Sequence, residues 1–251
     1  MKMLDAVSLD SADLSGVSLA HRQAFLDFFF KVNAEAERKG VSLSYETDFD
    51  ELLAVNRANV DSWYSLPVPF DPTVNDLSAG WWIKATDSSG RVVATVAGRM
   101  VDMGGSLADY LSSLRVLYDD PAGPGPSKGE AIIVSDAVKA VVMPRRIIYF
   151  GALWTHPCAR ALRLPGLIGD LAHAVAATQG AEAGLALATE HPAGSGLYPD
   201  YGCRNMVGTI LLTGERWHGE RLLTPIWRTA SEVIEMVESG KFSRVRVRRP
   251  D

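Results

Sequence analysis

The segment that most constrains this chain runs from residue 146 to residue 190. RIIYFGALWT (146–155) is a nearly continuous apolar run, the pattern of a strand buried on both faces. From Pro165 to Gly180 the spacing predicts a helix, with Pro165 in its first turn, Leu167, Leu171 and Val175 inward, and Gly180 closing its C-terminus. GLALATE (184–190) is a second short buried strand. Strand, helix and strand within this length form a βαβ crossover, so the two strands are parallel and the crossover right-handed.

Antiparallel signals surround that unit. A helix is expected over about Ser18–Lys39, with Leu19, Phe25, Phe28, Phe29, Val32 and Ala36 on one stripe. VSLSYET (41–47) alternates like a half-buried strand, and Asp48 with Glu51 reads as a capping box opening a helix through about Trp63. Three prolines make SLPVPFDP (65–72) a loop, and WWIKATDSSGRVVATVAGRMVDM (81–103) is a hairpin turning at Asp87-Ser88-Ser89-Gly90. Helical spacing returns over 107–118, PAGPGPSKG (121–129) is a surface loop, and strand and helix compete over 131–143. A second hairpin pairs 205–214 with 220–227, and Thr229 with Glu232 caps a last helix to Gly240. The expected fold is α+β: a mixed, mostly antiparallel sheet with a central parallel βαβ pair, flanked by helices. Residues 1–40 read as an N-terminal helical extension, 41–240 as the main domain with an insertion at about 104–130, and 241–251 as a basic tail.

The 251 residues are 47% apolar, enough for a sizeable core without staples, and two cysteines exclude a disulfide scaffold and a four-cysteine zinc site. No long apolar stretch marks a leader or a membrane span, so a soluble, cytoplasmic protein is expected. The net charge is −5; the last eleven residues carry five basic groups and one acid, leaving −9 on the remainder. An acidic body argues against broad nucleic-acid binding. The tail reads as an edge strand, a flexible solvated segment or an anion contact.

A helix following a parallel strand presents unpaired amides that favour anions. Arg160 and Arg163 lie just before the expected helix start, where they either contact a phosphate or pair with surface carboxylates. His156 and His191 stand at strand ends and titrate in a useful range. Cys158 near His156 lacks a third orienting group for nucleophilic catalysis. His156, Glu190 and His191 lack metal-ligand spacing, so no metal is expected. Trp63, Tyr64 and Phe70 either line an acceptor pocket or pack ordinarily.

Leu153-Trp154-Thr155-His156-Pro157, then Arg160-Ala161-Leu162-Arg163-Leu164-Pro165 and a helix, resembles the GNAT-type N-acetyltransferase superfamily. There a Val-x-Pro-like strand end precedes Arg/Gln-x-x-Gly-x-Gly/Ala. Leu197-Tyr198-Pro199-Asp200-Tyr201-Gly202-Cys203 resembles the family's Leu-Tyr-x-x-x-Gly-Phe segment. The likeness spans roughly residues 41–227, with motifs only over 146–203. Arg163 and Pro165 stand where the family has small residues, and Pro165 has no N–H to offer a phosphate. Arg163 either substitutes a guanidinium contact or fills the site.

The resemblance implies acyl transfer from acetyl- or another acyl-coenzyme A to an amino group of a small acceptor. It implies a cofactor site at Leu153, Trp154, Thr155, Arg160, Arg163, Gly166 and His191. Tyr198 would be the general acid and Glu190 the base, against readings as a core tyrosine and a solvated carboxylate. Trp63, Tyr64 and Phe70 are the substrate-side candidates. A variant resembles N-acyl amino acid or lactone synthases fed by an acyl carrier protein, docking on Arg145, Arg146, Arg160 and Arg163. The competing class is a non-catalytic GNAT-fold binding protein. An open cleft near Leu153 and Ala188 with Tyr198 facing it favours the enzyme; a cleft plugged by Arg163 or Trp154 favours the binder. Candidate partners are the amine acceptor, the carrier protein and a second copy of the chain.

Overall fold

The computed structural model describes residues 14–103, 105–189, 203, 205–217 and 219–243. Among them a nine-stranded sheet runs in the order β1-β2-β3-β5-β6-β9-β8-β4, with β7 pairing β9. The strands are β1 (Val41–Glu46), β2 (Gly80–Asp87), β3 (Val92–Asp102), β4 (Ala131–Val134), β5 (Arg146–Thr155), β6 (Ala183–Thr189), β7 (Asn205–Met206), β8 (Ile210–Thr213) and β9 (Arg221–Thr229). Only β5 and β6 pair in parallel; every other described pairing is antiparallel. This is the mixed sheet expected from the crossover.

Helices α1 (Arg22–Arg38), α5 (Leu164–Thr178) and α6 (Ala230–Ser239) pack together on one face. Phe25, Phe28, Phe29, Val32 and Ala36 bury the α1 stripe in a core that also holds Trp81, Ile148, Phe150 and the inward side of α5. The opposite face is covered by α2 (Phe49–Arg57), α3 (Leu107–Ser112), α4 (Asp136–Lys139) and the loop around Phe70, over Trp82, Ile147, Tyr149 and Leu185. The α6 cap forms as expected: Thr229 accepts from the Glu232 N–H, the Glu232 carboxylate accepts from the Thr229 N–H, and Gly240 closes the helix at φ 59°.

Several helices are shorter than their spacing predicts, each for a local reason. Leu19 is 80% exposed because α1 begins only at Arg22, after a run of turns. Asp48 accepts from the Asp50 and Glu51 N–H groups, but α2 stops at Arg57 rather than Trp63. The buried Asn56 amide donates to the Trp63 carbonyl and accepts from the Leu66 N–H, so a side chain satisfies backbone that would otherwise extend the helix. Likewise α3 ends at Ser112 rather than Tyr118. Arg99 on β3 donates to the Arg115 and Val116 carbonyls, Asn75 donates to Leu117, and Leu114 turns at φ 62°. The competition over 131–143 resolves into β4 followed by α4, and the 205–214 run divides into β7 and β8.

One buried ion pair joins the layers. Arg228 of β9 donates to Asp170 of α5 at 3.1 Å, and Asp170 also accepts from the Ser243 N–H and hydroxyl at 2.6 and 2.8 Å. Burial pushes the Asp170 carboxyl up, opposed by Arg228 and Ser243.

Candidate functional site

The site is built where the parallel pair comes apart. β5 and β6 are in register from Ile147 opposite Ala183 to Phe150 opposite Ala186, and no further. Beyond that rung β5 stays with β3 as far as Thr155, while β6 stays with β9 as far as Thr189. Each strand follows its antiparallel neighbour, and a wedge opens between them.

A bulge in β5 sits at the top of that wedge. Ala97 pairs Gly151 but Thr95 pairs Trp154, so Val96 faces both Ala152 and Leu153. Ala152 adopts φ 51°, a left-handed conformation costly for a residue with a Cβ, and its carbonyl accepts from the Thr95 hydroxyl at 2.8 Å. The extra residue reverses the alternation of side chains. Tyr149 and Gly151 face Phe70 before it, and Trp154 joins the same face after it, stacked on Trp63 at 5.2 Å. Leu153 and Thr155 are thereby turned toward the wedge.

A cavity of about 580 Å³ fills the opening. One wall is β5 from Tyr149 to Leu153 with Thr155, and the other is β6 with Gly184 and Ala186 to Thr189. Pro165, Gly169, Ala172 and His173 line it from α5, and Trp63 and Pro67 from the opposite face of the sheet. The cavity therefore passes through the sheet and meets both covering layers. Among the described residues, three of the four buried side-chain atoms without a hydrogen-bond partner belong to this region: Trp154 Nε1, Thr155 Oγ1 and His173 Nδ1. Thr155 and His173 line the cavity itself. Buried polar atoms are rarely left unpaired, and a site for a polar ligand accounts for such orphans.

Burial shifts the titratable groups around the cavity. Burial, aided by the Arg228 charge, holds the His173 imidazole well below its usual range, so it is neutral at pH 7. His173 meets the Phe150 ring edge-on at 4.7 Å, and a Cβ on Gly184 would collide with both. Burial raises the Tyr149 phenol, which remains protonated, and pushes the Cys203 thiol up to about 11.

Of the residues singled out in the sequence, the structure brings Trp63, Leu153 and Thr155 to the cavity. Trp154 is buried beside it, against Trp63. Phe70 is fully buried in a stack between Phe49 and Tyr149, and Tyr64 is 83% exposed. Arg160 and Arg163 are exposed at the start of α5, and Gly166 is buried in its first turn. Arg163 caps that helix at φ 55°, a left-handed conformation that favours glycine. Of the four leading amides of α5, Pro165 has none and Arg163 donates to Arg160, leaving Leu164 and Gly166. Glu190, His191 and Tyr198 lie outside the described residues. His156 and Cys158 form a local turn, with Nδ1 2.8 Å from Sγ, away from the cavity lining. Sequence reasoning did not single out Tyr149, Ala152 or His173 as site residues. A lone histidine in the otherwise apolar run LAHAVAA was the available signal for the last.

Among the described residues no group of three potential metal ligands gathers, and no helix is long and apolar enough to cross a membrane. No protein-family model matches the chain, and no curated protein does. Solved structures similar to it include TofI in an apo form, at 11% identity and TM-score 0.45, covering 80% of this chain and 99% of that one. Arabidopsis thaliana NAA60 in complex with acetyl-CoA is 11% identical, with TM-score 0.44 and coverage of 75% and 99%. A spermidine N-acetyltransferase SpeG chimera from Vibrio cholerae and hSSAT is 10% identical, with TM-score 0.42 and coverage of 77% and 98%.

Proposed function

We propose that this chain is a GNAT-type acyltransferase that moves an acyl group from acyl-coenzyme A to the amino group of a small acceptor. The observation that carries the reading is the wedge between β5 and β6. Two parallel strands part at a strained bulge, and the opening reaches both faces of the sheet. Such a passage lets a donor lie on one face and an acceptor approach from the other. Nothing from Arg163 or Trp154 plugs it: the first is exposed, and the second is turned onto Trp63. An open cleft is one half of what favours an enzyme over a non-catalytic binder; the other half, Tyr198 facing it, lies outside the described residues.

The residues present fit coenzyme A. The Thr155 hydroxyl offers an unpaired buried polar atom, and the Leu164 and Gly166 amides with the Arg160 and Arg163 guanidinium groups offer an anion cradle at the start of α5. Acyl-coenzyme A supplies a thioester, the activated acyl group. In this reading backbone amides of the β5 bulge, which borders the cavity, polarise the thioester carbonyl. Trp63 and Pro67 form the acceptor side. The proton steps are assigned, from the sequence resemblance, to Tyr198 as acid and Glu190 as base.

The test is release of free coenzyme A thiol from acyl-coenzyme A in the presence of a panel of small amines, with Arg160→Ala and Thr155→Val beside the wild type. Amine-dependent release, weakened in both variants, supports the reading. No release with any amine, together with no coenzyme A binding, refutes it.

A further inference from the structure

The fourth buried side-chain atom left without a hydrogen-bond partner among the described residues is Arg99 Nε, on β3. Arg99 lines a second cavity, of about 210 Å³, formed where the start of β2 and the end of β3 meet α3 and the chain that follows it. No residue lines both cavities. Arg99 is only 6% exposed, and most of its guanidinium is spent on the fold. Nη1 donates to Asp119 at 3.0 Å, and Nη2 to the Arg115 and Val116 carbonyls at 3.2 and 3.3 Å. Nε is the donor this packing leaves over, and a buried N–H without an acceptor is costly.

Other polar groups around the cavity are also incompletely used. Arg115 makes no ion pair among the described residues; it lies over the Tyr110 ring at 5.7 Å and reaches only the Asp102 carbonyl, at 3.5 Å. Burial raises the Tyr110 phenol, so it stays a donor at neutral pH. Asp76 has no cation either: its carboxylate accepts from the Ser78 N–H at 2.9 Å, which lowers its pKa and keeps it ionised. Asp119 is already matched by Arg99, and Asp102 by Arg145. One cation, one anion and one buried donor therefore remain around a small space.

We propose that this cavity binds a small zwitterion of the α-amino-acid type, its carboxylate on Arg99 Nε and Arg115 and its ammonium group on Asp76. The walls select by sign. A bare anion would meet Asp76 and Asp119, and a bare cation would meet Arg99 and Arg115, whereas a molecule carrying both charges opposes neither. An apolar guest would leave Nε buried and unpaired. The site does not depend on the acyl-transfer reading. It borders β3 at Arg99–Asp102, opposite the part of β5 that begins at Arg146 and is still closed onto β6. A ligand there is not in line for acylation in the wedge.

The experiment is calorimetric titration of the full chain with glycine, alanine and glutamine, beside acetate, methylammonium and inorganic phosphate as probes of a single sign. The amino acids are expected to bind, and acetate and methylammonium to bind roughly tenfold more weakly or worse, because each lacks one charge-assisted contact. Arg115→Gln and Asp76→Asn should each weaken amino-acid binding by roughly tenfold. Both side chains are exposed, and asparagine keeps an acceptor for the Ser78 N–H, so the Tm of the free variants should hold. Failure of all three amino acids to bind at millimolar concentration overturns the proposal and leaves the acyl-coenzyme A reading untouched. Acetate or phosphate binding as tightly as the amino acids, and indifferent to Asp76→Asn, overturns the zwitterion assignment. Amino-acid binding that both variants leave unchanged is binding elsewhere, the wedge included, and overturns the site.

Discussion

The buried imidazole at the cavity floor makes stability depend on pH in a way that can be calculated. His173 is held neutral in the folded protein by desolvation and by Arg228, and regains an ordinary value near 6.5 when the chain unfolds. Its folded value is therefore depressed. At pH above 6.5 both states carry a neutral ring and the residue costs nothing. As pH falls below that, the unfolded chain takes up a proton that the folded one refuses, so stability drops by up to about 1.4 kcal/mol per pH unit. Between pH 7 and pH 5 this one residue therefore lowers stability, by at most about 2 kcal/mol. His173→Phe keeps a flat ring against Phe150 and cannot titrate. Urea unfolding of both proteins at the two pH values measures the difference. The variant should lose less stability than the wild type over the interval. Equal losses would refute the claim that the ring is neutral and buried.

Other consequences follow from the same packing. Asp170→Ala leaves the Arg228 guanidinium buried without its carboxylate and should cost about 3–5 kcal/mol in denaturant unfolding, whereas Asp170→Leu combined with Arg228→Met should recover most of that loss. Gly184→Ala forces a methyl group against Phe150 and His173 and should destabilise by about 1–3 kcal/mol, read as a lower Tm. Thr155→Val breaks no hydrogen bond in the free protein, so its Tm should hold, while acyl-coenzyme A binding weakens by up to about tenfold if the hydroxyl meets the ligand. A lower Tm with unchanged binding would show instead that Thr155 is structural.

What could be read from the sequence was whatever depends on local periodicity. The continuous apolar run at 146–155 and the helix after it forced a parallel pair, and β5 and β6 are that pair. The α6 capping box and the Asp87–Gly90 turn were equally local. Helix ends were less legible. The groups that stop α2 and α3 early are Asn56, Arg99 and Asn75, of which Arg99 and Asn75 act across long stretches of chain. The bulge was invisible for a related reason. Nothing in Gly151-Ala152-Leu153 marks Ala152 for φ 51°; the conformation is imposed by β3 pairing on one side and the Thr95 hydroxyl beneath it. That bulge decides which way Trp154 and Thr155 point, so the site's walls followed from tertiary structure even where their residues had been singled out. Phe70 illustrates the converse: an aromatic beside a proline-rich loop, which the fold spends on packing against Gly151.

The central claim is that the opening between β5 and β6 receives a coenzyme A thioester, and hydrogen exchange with and without acyl-coenzyme A tests it most directly. Protection should appear at residues 151–155 of β5 and 164–169 of α5, with β1 and β2 unchanged. Saturating ligand that leaves 151–155 and 164–169 exchanging as before, or that protects only a distant surface, would contradict the claim.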